Sequence, residues 1–274
     1  HGSITSAIRQ SEPDEIYNLA AQSFVGASFQ QPILTADITG LGVLRVLEAI
    51  KENAPDAKFY QASSSEMYGN YPGEKNEVSP FIPRSPYGAA KVFGHHITNH
   101  YREAYNIFAC CGILFNHESP LRGLEFVTRK ITSTLARIKF KKTNVLKLGN
   151  INAKRDWGFA GDYVEAMWLM LQQKNPNDYV ISTGESHSVE EFLSLATEFC
   201  DLGDWHDFVE FDQDVMRPTD IEDLFGNSTK AQKELNWKPK ISFRELVKMM
   251  VDHDVEYEKL YTNPLKFNKK PQGN

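Results

Sequence analysis

Segments with strand character alternate with segments of helical periodicity along most of this chain, and that order limits its possible folds more than any other sequence feature. The predicted strands are residues 15–21, which end in a loop, 58–62, 108–115, 145–148 and 179–182. The predicted helices are residues 34–53, 86–105, 127–141, 160–173, 188–200, 228–236 and 243–260. Such alternation usually gives a parallel sheet covered by helices. We therefore predict an α/β fold, in which the unbroken apolar run 108–115 is a strand buried on both faces.

The composition is that of an ordinary globular protein and argues against two kinds of partner. Hydrophobic residues make up 41% of the 274 and charged residues 24%. A formal net charge of −6 disfavours broad electrostatic binding of nucleic acid or of an anionic membrane surface. No apolar run approaches the roughly 20 residues of a membrane-spanning helix, and the first residues lack the apolar core of a signal peptide. The three cysteines include Cys110 and Cys111 on opposite faces of one strand, so we expect reduced thiols and a cytoplasmic protein.

Tyr87 and Lys91 form a candidate proton-transfer pair near the start of the helix that Pro86 opens. Their spacing of four residues puts both side chains on one helix face. A lysine ammonium favours the phenolate of a neighbouring tyrosine and can lower its pKa from about 10 towards neutrality, which yields a base for a hydroxyl proton. With 11 tyrosines and abundant lysine, one pair at this spacing is also expected by chance.

A run of hydroxyls and a carboxylate follows the second predicted strand. Ser63, Ser64, Ser65 and Glu66 leave this strand at its carboxyl end, where open α/β sheets bind ligands. The polar connection 63–85 is longer than typical connections in compact domains. These side chains could face Tyr87; alternatively, the serines satisfy loop amides and Glu66 is solvated.

Five segments, in one order along the chain, carry a resemblance to a known family. They are Ser64-Ser-Glu66, Pro83-Arg-Ser-Pro-Tyr87-Gly-Ala-Ala-Lys91, Asn116-His-Glu-Ser-Pro120, Phe126-Val-Thr-Arg-Lys-Ile131 and Arg155-Asp-Trp-Gly158. Together they resemble the GDP-mannose 4,6-dehydratases, members of the extended short-chain dehydrogenase type, and the similarity runs from Tyr17 to Pro239. Many extended dehydrogenases and epimerases share the Tyr-x-x-x-Lys pair, whereas Glu66 and the 116–120 run are more discriminating.

The resemblance implies a Rossmann-type doubly wound parallel sheet, N-terminally incomplete, with a smaller mixed α/β substrate-binding domain. Residues 1–118 and 151–185 would form a partial NADP-binding domain that carries the catalytic residues, and residues 119–150 and 186–274 would bind the GDP-sugar. The glycine-rich turn that cradles pyrophosphate in such domains does not occur in the chain. The family's N-terminal cofactor-binding segment would lie upstream of His1, so we expect this chain to be either a fragment of a longer product or a natural remnant that lacks the segment.

The family's reaction implies a role for each catalytic residue. Tyr87, tuned by Lys91, would take the proton of the sugar 4-hydroxyl while hydride leaves C4 for NADP, and Ser64, where the family usually has Thr, would hydrogen-bond that oxygen. Glu66 would then remove the C5 proton and, once protonated, help to expel the 6-hydroxyl as water. Return of hydride to C6 would complete the conversion of GDP-mannose to GDP-4-keto-6-deoxymannose.

The resemblance also implies two sets of binding residues. The cofactor contacts are Leu19, Ala20, Ala21, Gln22, Ser23, Lys91, His117 and Arg122. The substrate contacts are Ser65, Asn116, Lys130, Arg155 and Arg217, with Glu222 at the nucleoside. An ordinary surface position is the alternative for His117 and Arg122, and a surface ion pair is the alternative for Arg217 and Glu222. Leu34 stands where the family usually has Tyr, so the cofactor contact of that Tyr is not expected here.

The same residues are compatible with other functions and with more than one assembly. The family suggests a homodimer or homotetramer. An epimerase or reductase acting on a nucleotide sugar would have the same fold but would not need Glu66, and a truncated, non-catalytic nucleotide-sugar-binding module would not bind NADP. His96 and His100 have the i,i+4 spacing of a metal pair, but no third ligand is evident nearby, so no metal is expected.

Overall fold

A computed structural model of the chain describes residues 2–212, 219 and 221–262. Its helices are α1 (Gly2–Ser11), α2 (Val25–Gln30), α3 (Pro32–Thr35), α4 (Gly42–Asn53), α5 (Pro86–Tyr105), α6 (Val127–Lys139), α7 (Ala160–Leu171), α8 (Val189–Phe199), α9 (Thr229–Glu234) and α10 (Phe243–Thr262). A π-helical turn, Ala36–Leu41, joins α3 to α4. None of the described helices combines the length and apolar character that crossing a bilayer requires.

The central sheet has four parallel strands in the order β1-β2-β3-β8. The strands of the described chain are β1 (Glu15–Asn18), β2 (Lys58–Ser64), β3 (Ala109–Leu114), β4 (Asn116–Glu118), β5 (Leu146–Leu148), β6 (Lys154–Arg155), β7 (Trp157–Phe159), β8 (Tyr179–Ile181), β9 (His187–Ser188), β10 (Val209–Phe211) and β11 (Asp223–Leu224). All six residues of β3 are buried, as its apolar run predicted. The parallel α/β fold expected from the alternating pattern is thus confirmed.

Helices cover both faces of this sheet, and the two adjacent cysteines of β3 show it directly. The thiol of Cys110 lies 3.7 Å from the carbonyl oxygen of Met170 in α7, whereas the thiol of Cys111 lies 3.8 Å from that of His95 in α5. The prediction that these neighbours point to opposite faces is therefore confirmed. The sheet is doubly wound, with α5 on one face and α7 on the other.

The chain divides into two compact units, counting only the described residues within each range. The first unit spans 1–117, 153–187 and 217–241, and the second spans 118–152, 188–216 and 242–274. The predicted domain boundaries near 118 and 151 lie within two residues of these limits, but the prediction put all of 186–274 in the second domain. That part was wrong for the described residues of 217–241: β11 pairs with β6, and the Trp237 indole donates to the carbonyl of Asp162 at 2.7 Å.

Local chemistry explains where α5 begins and ends. Ser85 caps its first turn, because the Ser85 hydroxyl accepts a hydrogen bond from the Gly88 amide at 3.0 Å, and Pro86 occupies the first turn, where no amide is needed. Asn106 ends the helix in a left-handed conformation, with φ of 55°. The predicted range 86–105 is confirmed at both ends.

Three differences from the predicted elements concern the N-terminal half. The first strand stops at Asn18 instead of continuing to residue 21, and the predicted loop 63–85 begins later because Ser63 and Ser64 belong to β2. Helix α1 was not predicted; it belongs to the fold because Ile8 is buried in a cluster with Leu47 and Phe59.

Candidate active site

The carboxyl end of β2 presents a hydroxyl and a carboxylate two residues apart. Ser64 is the last residue of the strand, and its Oγ accepts a hydrogen bond from the Glu66 amide at 3.2 Å. This contact caps a 3-10 turn over Ser65–Met67. The cap joins Ser64 and Glu66 in one hydrogen-bonded unit at the end of the strand, and Glu66 is half-buried.

The first turn of α5 packs directly against this unit, and Gly88 makes that possible. A Cβ at residue 88 would lie 2.8 Å from the carbonyl oxygen of Glu66 and 3.0 Å from Cβ of Pro83. Tyr87, the neighbour of Gly88, is buried, with 8% of its surface exposed. The two backbones therefore pack closely, while the Ser64 hydroxyl satisfies the Glu66 amide, as the alternative interpretation of the serines expected.

Lys91 lies one turn further along α5 and is almost completely buried, with 4% of its surface exposed. Its Nζ donates to the Ala62 carbonyl at 2.7 Å and lies 5.6 Å from the centre of the Tyr87 ring. Burial lowers the pKa of the Lys91 ammonium to about 8. Within the described part of the chain this is the one hydrogen bond found for its three N–H donors, so the ammonium can still serve further acceptors.

The loop after β1 lies at the carboxyl edge of the same sheet. The Asn18 side chain, at the end of β1, donates to the Gln61 side chain in the middle of β2 at 2.8 Å, and the Gln22 backbone amide donates to Oγ1 of Thr39 at 3.0 Å. The predicted cofactor residues Leu19, Ala20 and Ser23 are exposed there, and Ala21 and Gln22 are half-buried. An anchored, open loop together with the spare donors of Lys91 fits one end of a dinucleotide.

Asn116 and His117 follow β3 at this edge. Nδ1 of His117 makes a hydrogen bond of 2.8 Å with the Phe115 carbonyl, and its ring stacks on Tyr163 with centroids 5.1 Å apart. Both residues are half-buried. The fold therefore holds the His117 ring in a defined orientation, and it is not an unattached surface side chain.

Arg155 and Glu222, predicted at the substrate, lie in and beside the paired strands β6 and β11. Nη1 of Arg155 donates to the Ile221 carbonyl at 2.7 Å, and this arginine is 7% exposed, whereas Glu222 is exposed. Ser65, also predicted at the substrate, is 3% exposed. The arginine thus has a clear structural role beside any role at phosphate.

Two other predicted binding residues belong to the second unit. Arg122 pairs with the buried Glu118 at 3.3 Å and stacks on the Phe126 ring at 3.5 Å. Lys130 is half-buried, and burial lowers its pKa although the carboxylate of Asp212 opposes this effect. Arg217 lies outside the described residues.

Asp156 is a buried residue of this region to which the sequence analysis gave no role. Its carboxylate accepts hydrogen bonds from the amide and the hydroxyl of Thr183, at 2.9 and 2.7 Å, and from the Gly184 amide at 2.9 Å. Burial raises its pKa to about 6. Asp156 therefore holds the backbone that follows β8; its place in the 155–158 segment was the available signal.

The described residues include one group of metal-type ligands, namely His95, Cys111 and Asp178, whose atoms lie within 4.8 Å of one another. Asp178 is paired with Arg102, and burial raises the pKa of the Cys111 thiol. Because the carboxylate already has a cation and the thiol is protonated, these charges suit a hydrogen-bonded network better than a divalent ion. His96 and His100, the pair considered from the sequence, are both exposed.

Comparisons with known proteins show which family this chain resembles. A family model described as GDP-mannose 4,6 dehydratase matches residues 1–250. GDP-mannose 4,6 dehydratase 2 of Arabidopsis thaliana is 56% identical over 252 residues, which cover 90% of this chain and 67% of the relative.

Solved structures extend the comparison to the fold. RMD from Pseudomonas aeruginosa, complexed with NADPH, has a TM-score of 0.83 at 21% identity and covers 92% of this chain and 86% of its own. UDP-glucose 4-epimerase of Thermus thermophilus, in complex with NAD, has a TM-score of 0.81 at 26% identity, with coverages of 92% and 81%. These two solved structures share the Rossmann-type fold of this chain. The family model and the sequence identity show that this chain belongs to the GDP-mannose 4,6-dehydratase family.

Proposed function

We propose that this protein is a hydro-lyase that converts GDP-mannose to GDP-4-keto-6-deoxymannose and water. The observation that carries the proposal is the packing of the Ser64–Glu66 turn against the first turn of α5, which carries Tyr87 and Lys91, in a member of this family. A base, an ammonium, a hydroxyl and a carboxylate are the groups that a dehydration through a ketone requires.

Tyr87 and Lys91 act on the 4-hydroxyl of the sugar. The buried Lys91 ammonium stabilises the phenolate of Tyr87, which accepts the hydroxyl proton, and Ser64 hydrogen-bonds the same oxygen. When bound, a nicotinamide cofactor would supply the hydride acceptor needed at C4 and the hydride donor needed at C6, and the reduction would be completed by a proton added at C5. The loop 19–23 and Lys91 would hold its nicotinamide end.

Glu66 carries out the elimination. The C4 ketone acidifies the C5 hydrogen, so the Glu66 carboxylate removes this proton and, now protonated, donates it to the departing 6-hydroxyl. One group thus acts first as base and then as acid, which a carboxyl group in a half-buried position can do. An epimerase or reductase of the same fold has no step that needs this residue.

We further propose NADP as the cofactor. Support comes from RMD, whose structure contains NADPH, although the epimerase structure contains NAD. If NADP bound no more tightly than NAD, as measured by the two Kd values, the proposal of NADP would be contradicted. His117 and Arg122 are proposed at the cofactor, and Ser65, Asn116, Lys130, Arg155, Arg217 and Glu222 at GDP-mannose.

A homodimer or homotetramer in the cytoplasm is also proposed. The support is a group of exposed apolar side chains on neighbouring elements, namely Phe93 of α5 and Ile38 and Leu41 of the π-helical turn. The Phe93 ring lies next to Gly40 of that turn. Light scattering of the purified protein would measure the oligomeric state, and a monomer would contradict it. Fractionation of the source cells would test the location.

Glu66→Gln tests the reaction. We expect this change to lower the rate of water loss from GDP-mannose by roughly 100-fold or more, because the amide can neither accept the C5 proton nor donate it. Mass spectrometry follows water loss, and in D2O the wild-type product also gains deuterium at C5. The matched control is Glu103→Gln, an exposed glutamate of α5 that should react at the wild-type rate. Unchanged GDP-mannose with the wild type, or full activity in Glu66→Gln, would overturn the proposal.

A further inference from the structure

His95 is a buried histidine to which the proposed reaction gives no role. It lies on α5 one turn beyond Lys91, with 5% of its surface exposed. Nδ1 of His95 and Oγ of Ser63 are 3.1 Å apart and joined by a hydrogen bond. The other ring nitrogen, Nε2, lies 3.3 Å from the amide nitrogen of Asn99 and 3.7 Å from a carboxylate oxygen of Asp178.

The partner of His95 stands between two residues of the candidate active site. Ser63 follows Ala62, whose carbonyl binds Lys91, and precedes Ser64, whose hydroxyl caps the Glu66 amide. Lys91 and His95, on successive turns of α5, are therefore hydrogen-bonded to successive residues of β2. Together with the packing of α5 on the sheet, these two hydrogen bonds specify the register of the helix on the strand.

A second set of contacts fixes the His95 ring itself. Asp178, immediately before β8, pairs with Arg102 near the end of α5 and accepts a hydrogen bond from the Cys111 amide at 3.0 Å. Phe81, from the connection that carries Glu66, packs edge-on against the His95 ring with centroids 5.1 Å apart. Burial lowers the pKa of His95 to about 4, so the ring is neutral near pH 7 and can donate one hydrogen bond and accept another.

We propose that His95 is a positioning residue which, through Ser63, holds the carboxyl end of β2 in register with α5 and so keeps Ser64 and Glu66 beside Tyr87 and Lys91. The inference rests on the proposed dehydratase function. It predicts that the polar contact, and not merely the volume of the ring, matters for turnover.

Three variants separate the polar contact from packing. His95→Phe keeps a ring but removes Nδ1, Ser63→Ala removes the partner hydroxyl, and His95→Asn keeps a polar atom close to the position of Nδ1. We expect His95→Phe and Ser63→Ala each to lower kcat for dehydration about tenfold, because small displacements of reacting groups are costly, with KM for GDP-mannose within about twofold of the wild type. His95→Asn should restore most of kcat, and the double variant Ser63→Ala/His95→Phe should be no slower than either single variant.

Hydrogen–deuterium exchange provides a readout that does not depend on activity. Peptides covering residues 60–68 should exchange faster in His95→Phe than in the wild type, since the Glu66 amide loses the fixed strand end that protects it. The matched control is His100→Phe, the same change at an exposed position of the same helix, which should alter neither exchange nor kcat.

The outcomes distinguish this inference from the function on which it rests. If the wild type does not dehydrate GDP-mannose, the proposed function fails, and the exchange rates alone decide on His95. If the wild type is active, the inference is overturned by normal kcat and normal exchange in His95→Phe. It is also overturned if His95→Asn is as slow as His95→Phe while Ser63→Ala is normal, because the effect then comes from packing.

Discussion

Lys91 is the residue whose surroundings bear most directly on chemistry. Its ammonium is buried without a carboxylate partner among the described residues, and its pKa falls to about 8. Burying a cation in this way costs free energy that packing elsewhere must offset. The arrangement makes sense if the charge is needed at this point of the helix, as the proposed phenolate at Tyr87 would require.

Lys91→Met should therefore change how stability depends on pH. In the wild type the pKa of Lys91 is about 8 when folded and 10.5 when unfolded, so between these values the unfolded chain binds more protons. The wild type should then gain unfolding free energy relative to Lys91→Met as pH rises through this window, by roughly 3 kcal/mol at most. Urea denaturation at several pH values measures the difference. Exposed Lys233→Met serves as the control, and a pH-independent difference for Lys91→Met would contradict the expectation.

Helix α5 and strand β2 together form the framework of the candidate site. The helix supplies Tyr87 and Lys91, the strand supplies Ser64, and close approach between them depends on a residue without a side chain, Gly88. The geometry of the site is therefore a property of how two elements pack, not of either element by itself.

Gly88→Ala tests this dependence. The new Cβ would lie 2.8 Å from the Glu66 carbonyl oxygen, so the helix start must move away from the Glu66 turn. We expect a loss of about 1–3 kcal/mol of unfolding free energy and a clear fall in dehydration rate. Gly42→Ala is the matched helix control; its Cβ would meet only the Asp37 carbonyl, at 3.7 Å, and should stabilise the protein by about 0.5–1 kcal/mol. Thermal denaturation and kcat should be measured for both variants. Equal changes in stability and in kcat would contradict the dependence of the site on close approach at Gly88.

The molecule as a whole consists of two units, each with its own stabilising interactions. In the first unit, apolar side chains pack on both faces of the parallel sheet. In the second, α6 and α10 are joined by a buried ion pair, in which Arg129 lies 2.6 Å from Asp254 and the Thr132 hydroxyl donates to the same carboxylate at 2.7 Å. Loss of this ion pair should therefore destabilise the second unit more than the first.

Asp254→Asn tests that expectation. Removing one partner leaves the Arg129 cation buried and unpaired, which should cost about 3–5 kcal/mol of unfolding free energy. Hydrogen exchange should rise in peptides from α6 and α10 more than in peptides from β2 and β3. Asp252→Asn, in an exposed pair with Lys248, should cost less than about 1 kcal/mol. Equal losses of unfolding free energy in the two variants would show that the buried ion pair contributes no more stability than the exposed one.

The alternation of most of the longer elements and the identity of the catalytic candidates followed from the sequence alone. Hydrophobic periodicity and end signals act between near neighbours, so α5 could be predicted from Pro86 to Tyr105, and the spacing of Tyr87 and Lys91 placed them on one face. The family resemblance then pointed to Ser64 and Glu66 through their fixed order with that pair. Short strands such as β6 and β11 were missed because two-residue pairings leave no periodic signal.

Tertiary structure alone decided which buried polar groups support the site. The sequence drew attention to His96 and His100, but His95 faces the interior and reaches Ser63, a partner 32 residues away. Asp156 likewise acquires its role only because the fold brings Thr183 within hydrogen-bond distance of it. Hydrogen bonds between distant segments depend on how strands and helices pack, and a single sequence carries no local signal of that packing. The sequence thus identified the candidate catalytic groups, and the fold determined which residues hold them in position.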